Sequence, residues 1–126
     1  MTCPWDERTR GSFAAAQFAA MRPDAVLINI ARAAVVDEDA LYHALRDHLI
    51  AKAYLDVWYR YPSGDTDPVA PADYRFEDLP NAYCTPHASG WTQGLFERRY
   101  AFIAANINRL HQGQPLQNVV TSPNRV

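Results

Sequence analysis

Three side chains able to grip, orient and protonate a small acid stand just after short apolar runs: Arg32 after "AVLINI", Asp56 inside "AYLDVW", and His87 within "CTPHASG". An arginine can hold a carboxylate by two parallel hydrogen bonds, and a histidine can move a proton near neutral pH. A carboxylate such as Asp56 can orient an amide or an imidazole. In a doubly wound sheet the ligand lies outside the carboxyl ends of the strands, where all three residues fall. Together they are the parts needed to reduce a 2-oxo acid. Each also has a plainer reading: Arg32 solvating a strand end, Asp56 capping or bonding a loop, and His87 sitting in a proline-containing turn.

Cys84 and His87 have C-x-x-H spacing, which raises a metal or nucleophile reading. A zinc site needs three or four ligands, and His43, His48 and His111 fall on expected helix surfaces with no recognisable spacing. No metal site is therefore expected, and Cys84 reads as a small buried residue.

The elements that must position these groups follow from periodicity. Ala25 to Ile30 is an apolar run broken only by Asn29, which suits a parallel strand buried on both faces. A helix follows, with Asp37 as N-cap, Glu38 and Asp39 at the positive end of its dipole, and Val36 packing on Leu41 as a hydrophobic staple. Leu41, Ala44, Leu45 and Leu49 form its expected buried face. Ala53 to Trp58 is the next strand, so residues 25–58 have the order of one β-α-β crossover.

Pro62, Pro68, Pro71 and Pro80, with Gly64 and several aspartates between them, mark a long surface loop. Asn81 to Thr85 is a third short strand. Thr92 to Gly113 carries Phe96, Tyr100, Ile103, Ile107 and Leu110 at helical spacing, with Gly113 as C-terminal cap and Pro115 as stop. Near the start, Ser12 is placed to cap a short alanine-rich helix ending before Pro23. The whole reads as one α/β domain.

The chain has 126 residues, 48% of them hydrophobic, which is enough for one domain with a core. Its 14 acidic and 12 basic residues are scattered, giving a net charge of −2 and no basic stripe for nucleic acid or an anionic membrane. No apolar run approaches the roughly 20 residues of a membrane span, and "MTCPWDERTR" lacks a signal-peptide core. Two cysteines, Cys3 and Cys84, make no disulfide framework. A cytoplasmic protein with small-molecule or protein partners is expected.

"MRPDAVLINIARAAVVDEDAL", "AYLDVW" and "CTPHASG" resemble, in order, three signatures of the D-isomer-specific 2-hydroxyacid dehydrogenases, formate dehydrogenases included. The resemblance extends from "CPWDERTRG" near the start to "NVV" near the end. It implies a partial Rossmann-like doubly wound parallel sheet with flanking helices, the C-terminal part of a nucleotide-binding domain. It further implies that Arg32 binds the substrate carboxylate and polarises the carbonyl. His87 exchanges a proton with the substrate oxygen as hydride passes to or from the nicotinamide of NAD or NADP. Asp56, Ser89 and Gly90 then lie near the carboxamide, with Pro4, Ile30 and Ala31 lining the dinucleotide.

Two departures from the family pattern stand out. The glutamate that pairs with the histidine in hydroxyacid enzymes, and the glutamine of formate dehydrogenases, are both replaced by Tyr61, which supplies no charge to hold an imidazolium. Glu77, Asp65 and Asp67 are the loop acids that could substitute. There is also no G-x-G-x-x-G to meet the cofactor pyrophosphate, and no acidic residue following it for the ribose. By resemblance, the substrate domain and the first half of the nucleotide-binding domain lie upstream of Met1.

The expected protein is thus the C-terminal portion of an NAD(P)-dependent oxidoreductase acting on a small 2-hydroxy or 2-oxo acid. A formate dehydrogenase-like fragment and an inactive remnant or interaction module are the alternatives. An unpaired sheet edge favours a homo-oligomer or association with the missing half.

Overall fold

A computed structural model describes residues 1–64 and 66–120. The backbone divides into two compact units, Met1–Gly90 and Trp91–Val126. The first is an α/β layer. Its elements are α1 (Ala15–Ala19), β1 (Val26–Asn29), α2 (Glu38–Arg46), β2 (Lys52–Leu55) and β3 (Ala82–Cys84), with single 3-10 turns at Ala33–Val35 and Phe76–Asp78. The strands lie in the order β1-β2-β3, and both pairings are parallel, with Val26 beside Lys52 and Tyr54 beside Tyr83.

The β-α-β crossover forms as the apolar pattern requires. The Asp37 side chain accepts the Ala40 N–H at 2.8 Å, capping α2, and Val36 and Leu41 are both buried. Helix α2 stops at Arg46 because His48 turns left-handed at φ 54°. The His48 N–H then bonds the Leu45 carbonyl and the Leu49 N–H the Ala44 carbonyl, at 3.2 and 2.9 Å, satisfying the helix end. That reversal swings the expected core residue Leu49 outward, at 48% exposure, and sends Ile50 into the core in its place.

Three further expectations change. Ser12 does not cap α1: its hydroxyl donates to the Thr9 carbonyl, and the Gln17 side chain takes the Ala14 N–H at the helix start instead. The proline-rich loop is not wholly superficial, because Ala72 and Phe76 are buried beside Phe18, Leu27, Leu45, Ile50 and Leu55. Strand β1 is buried on one face only. Leu27 and Asn29 point into the core, whereas Val26, Ile28 and Ile30, with Tyr54 and Tyr83 on the same sheet face, are 41–51% exposed. In the Met1–Gly90 unit both helices cover one side of the sheet, so the apolar residues of the other side face outward.

In the second unit, α3 (Leu95–His111) begins after Gly94 and ends where Gly113, at φ 65°, closes the helix. The Gly113 and Gln114 N–H groups reach the Leu110 and Arg109 carbonyls, the C-terminal arrangement expected from the sequence. Among the described residues, no helix is long and apolar enough to cross a membrane.

Candidate active site

Arg32, Asp56 and His87 all lie beyond the carboxyl ends of their strands, and a buried polar group organises each turn. Behind β1, Asn29 is 2% exposed. Its side-chain oxygen accepts the Ala31 N–H at 3.1 Å and its amide donates to the Arg32 carbonyl at 3.2 Å, fixing the Ile30–Arg32 turn. The Arg32 guanidinium folds back, with Nη1 donating to the Ala31 carbonyl at 2.7 Å. It lines an open recess with Pro4, Trp5, Ile30 and Ala31.

Asp56 gathers the turn that carries the histidine. Its carboxylate accepts the Thr85 hydroxyl (2.5 Å), the Ala88 N–H (2.8 Å), the Ser89 N–H (3.0 Å) and the Ser89 hydroxyl (2.5 Å). His87, between these anchors, is forced into a left-handed backbone at φ 56°. A left-handed histidine is uncommon, and such strain is retained where surrounding bonds over-determine it. Asp56 thus holds the His87 turn from beneath, while its edge, with Ile30, Leu55, Tyr83 and Ser89, borders a smaller recess on the exposed sheet face.

Burial alone would raise the Asp56 carboxyl, but the Ser89 and Thr85 hydroxyls and the Ser89 and Ala88 N–H groups more than offset it, holding the group at about 2 instead of 3.8. Since the folded value lies below the unfolded one, this stabilisation is complete above about pH 4 and is lost as pH falls toward about 2. The shift corresponds to about 2 kcal/mol. Urea titrations at about pH 5.5 and about pH 2.5 are expected to show that much more acid destabilisation in the native chain than in Asp56→Asn. Equal pH dependence in the two proteins would remove Asp56 from this role.

The surroundings of His87 are aromatic. The Tyr61 ring lies 5.5 Å from the imidazole, centroid to centroid, tilted by 42°. The Tyr61 oxygen is turned to the backbone, accepting the Trp58 N–H at 2.9 Å, and the Trp58 indole donates to the Thr85 carbonyl at 2.9 Å. Of the loop acids, Asp67 holds its own turn by accepting from the Ser63 N–H and hydroxyl. Glu77 lines the same cavity as His87 but pairs with Arg75 at 3.3 Å. Asp65 lies outside the described residues.

Burial, reinforced by the Glu77 charge, pushes the Cys84 thiol up, so it stays protonated at neutral pH, opposite to what a nucleophile needs. Among the described residues, no group of three or more His, Cys, Asp or Glu is placed to hold a metal ion.

The expected residues therefore fall in three adjoining hollows rather than one. Pro4, Ile30, Ala31 and Arg32 share the first, Ile30, Asp56 and Ser89 the second, and His87 lines the third; Ile30 is common to the first pair and Thr85 to the second. Gly90 lines none of them, and a Cβ there would meet nothing within 4 Å. Apolar Ile30 and Ala31, open backbone and the Ser89 hydroxyl suit a nicotinamide ring and its amide, whereas nothing in these hollows is built for a pyrophosphate. Sequence reasoning missed Thr85 and Trp58 as parts of the His87 support. It noted Asn29 only as a break in an apolar run, although a lone amide in such a run is itself a sign of a buried hydrogen-bonding role.

Comparison with known proteins adds to this geometry. Residues 1–89 match the family model described as D-isomer specific 2-hydroxyacid dehydrogenase, NAD binding domain. The chain is 38% identical over 123 residues to glyoxylate/hydroxypyruvate reductase B of Pectobacterium atrosepticum, covering 95% of this chain and 35% of that protein. It is 32% identical over 119 residues to the mitochondrial formate dehydrogenase of Hordeum vulgare, covering 93% and 30%. A crystal structure of D-lactate dehydrogenase with NAD+ from Lactobacillus jensenii superposes with a TM-score of 0.82 at 30% identity, covering 95% of this chain and 38% of that one. The chain thus spans about a third of the length of these relatives.

Proposed function

Because the chain belongs to the D-isomer-specific 2-hydroxyacid dehydrogenases, within their NAD-binding domain, we propose that it supplies the substrate and nicotinamide end of an NAD(P)-dependent oxidoreductase acting on a small 2-hydroxy or 2-oxo acid. The observation that carries this reading is the Asp56 turn, which fixes Thr85, Ala88 and Ser89 and leaves His87 strained at the rim. Bound nicotinamide supplies or receives the hydride. Arg32 unfolds from the Ala31 carbonyl to grip the acid's carboxylate, and His87 gives the carbonyl oxygen a proton in reduction or takes it in oxidation. Ile30 and Ala31 would hold the nicotinamide ring and Ser89 its carboxamide, and Asp56 acts through the turn.

The neutral Tyr61 beside His87 favours the second reading, formate oxidation, which transfers hydride with no proton to a substrate oxygen. The 2-hydroxy or 2-oxo acid remains the preferred substrate because formate oxidation would leave the proton exchange assigned to His87 without a use.

In this reading residues 1–126 are the C-terminal part of one nucleotide-binding domain that works in the cytoplasm with its two thiols reduced. The remaining part docks at the free edge of β1. There the Met1 amine donates to the Ile28 carbonyl and the Ile30 N–H reaches the Met1 carbonyl, a first rung of parallel pairing. The alternation that turns those groups outward also turns out the Val26 carbonyl and the Ile28 N–H, which can receive a strand.

The reading is tested by titrating the chain with NADH and with reduced nicotinamide mononucleotide, following energy transfer from tryptophan. Without a glycine-rich phosphate loop the two are expected to bind within about threefold of each other, under 1 kcal/mol apart. NADH binding about thirtyfold tighter would show a pyrophosphate grip and contradict the expectation. No binding of either by the folded chain would remove the nicotinamide end from it.

A further inference from the structure

We propose that the cavity beside His87 is a side-chain subsite, and that the acid this chain serves is a 2-oxo acid bearing a large apolar or aromatic substituent. The proposal rests on the reading of His87 given above. The cavity has a volume of about 510 Å³ and is walled by Trp58, Tyr61, Pro62, Val69, Pro71 and Pro86, with His87 at its border. That volume falls within the range of pockets that enclose small organic ligands. Formate or glyoxylate would leave most of it empty.

Apart from His87 and the Cys84 thiol, the polar side chains around the cavity have partners. The Trp58 indole N–H and the Tyr61 oxygen are bonded to backbone, so both rings offer carbon to the interior. Arg60 donates to the Ala70 carbonyl at 3.0 Å and pairs with Asp73, and Glu77 pairs with Arg75. Water held there finds few bonding partners, so an apolar group that displaces it gains. The walls are also fixed to one another: the Tyr59 and Arg60 N–H groups both donate to the Pro71 carbonyl, at 3.1 and 3.0 Å, tying the far side of the loop to the exit of β2. A substrate whose carbonyl oxygen meets His87 can therefore place its substituent between the Trp58 and Tyr61 rings and the prolines.

The test is a titration of the full chain with phenylpyruvate and with pyruvate, which share one acid head, read from amide and indole NMR signals. Phenylpyruvate is expected to bind at least about tenfold tighter, as burial of a phenyl ring allows, and to shift the Trp58 indole N–H as well as Ala88 and Ser89. Val69→Trp, which fills the cavity from a loop position, is expected to reduce phenylpyruvate to the affinity of pyruvate and leave pyruvate unchanged. Nuclear Overhauser contacts from the phenyl protons to the Val69 methyls give the same answer without a substitution. Equal affinity for the two acids, or phenylpyruvate binding with no contact to Val69, would overturn the subsite and leave the role of His87 standing. If neither acid moves Ala88 or Ser89 in the folded chain, the reading beneath the proposal fails with it.

Discussion

Asp56→Ala is expected to destabilise the Met1–Gly90 unit by about 3 kcal/mol and to release residues 85–89 from their turn. The carboxylate is 3% exposed and accepts from two hydroxyls and two backbone N–H groups that have no other acceptor within that turn. Alanine removes the acceptor and leaves those donors to water or to nothing. Asparagine keeps one oxygen, so Asp56→Asn should lose less. Set against the roughly 5–15 kcal/mol that holds a typical domain together, a loss of this size is easily measured. Urea denaturation gives the energy, and amide exchange at Ala88 and Ser89 locates it. A loss under about 1 kcal/mol with unchanged exchange would mean the turn is held by something other than Asp56.

What could be read from residues alone divides along physical lines. The β-α-β crossover was legible because local rules agreed there: an apolar run too short for a helix, then Asp37 as cap, then Leu41, Ala44 and Leu45 at helical spacing. The end of α3 was legible because Gly113 occupies the one position where a left-handed residue closes a helix. Leu49 was misread because nothing in a histidine announces that His48 will take that same conformation. The one-sided burial of β1 was misread because an apolar run shows that both faces are fit for burial and does not show what covers them. At the candidate site, Arg32 and His87 stood out by residue type and by their place after apolar runs. The partners of Asp56 were not, because Thr85, Ala88 and Ser89 reach it only after β2 and β3 pair, some thirty residues apart in the chain.

His87→Ala is expected to separate chemistry from folding. The bonds that hold the turn come from its neighbours, so the substitution should leave stability within about 1 kcal/mol of the native chain, and alanine tolerates the left-handed backbone no better than histidine does. Loss of a positioned proton donor typically lowers turnover by about 10²- to 10⁴-fold. The effect should fall on kcat, because the carboxylate grip assigned to Arg32 is untouched; Arg32→Ala should instead raise KM as well. Asp56→Ala thus loses stability and, with the turn, the placement of His87, whereas His87→Ala loses chemistry while stability is kept.

The most direct test joins this chain to a complete dinucleotide site. It replaces the matching C-terminal segment of the Pectobacterium atrosepticum glyoxylate/hydroxypyruvate reductase B, and oxidation of NAD(P)H by a panel of 2-oxo acids is followed with and without His87→Ala. Turnover is expected to fall by at least about 10²-fold in the His87→Ala protein at unchanged cofactor affinity. A folded, cofactor-binding chimera that reduces none of the acids, or does so equally well without His87, would contradict this expectation.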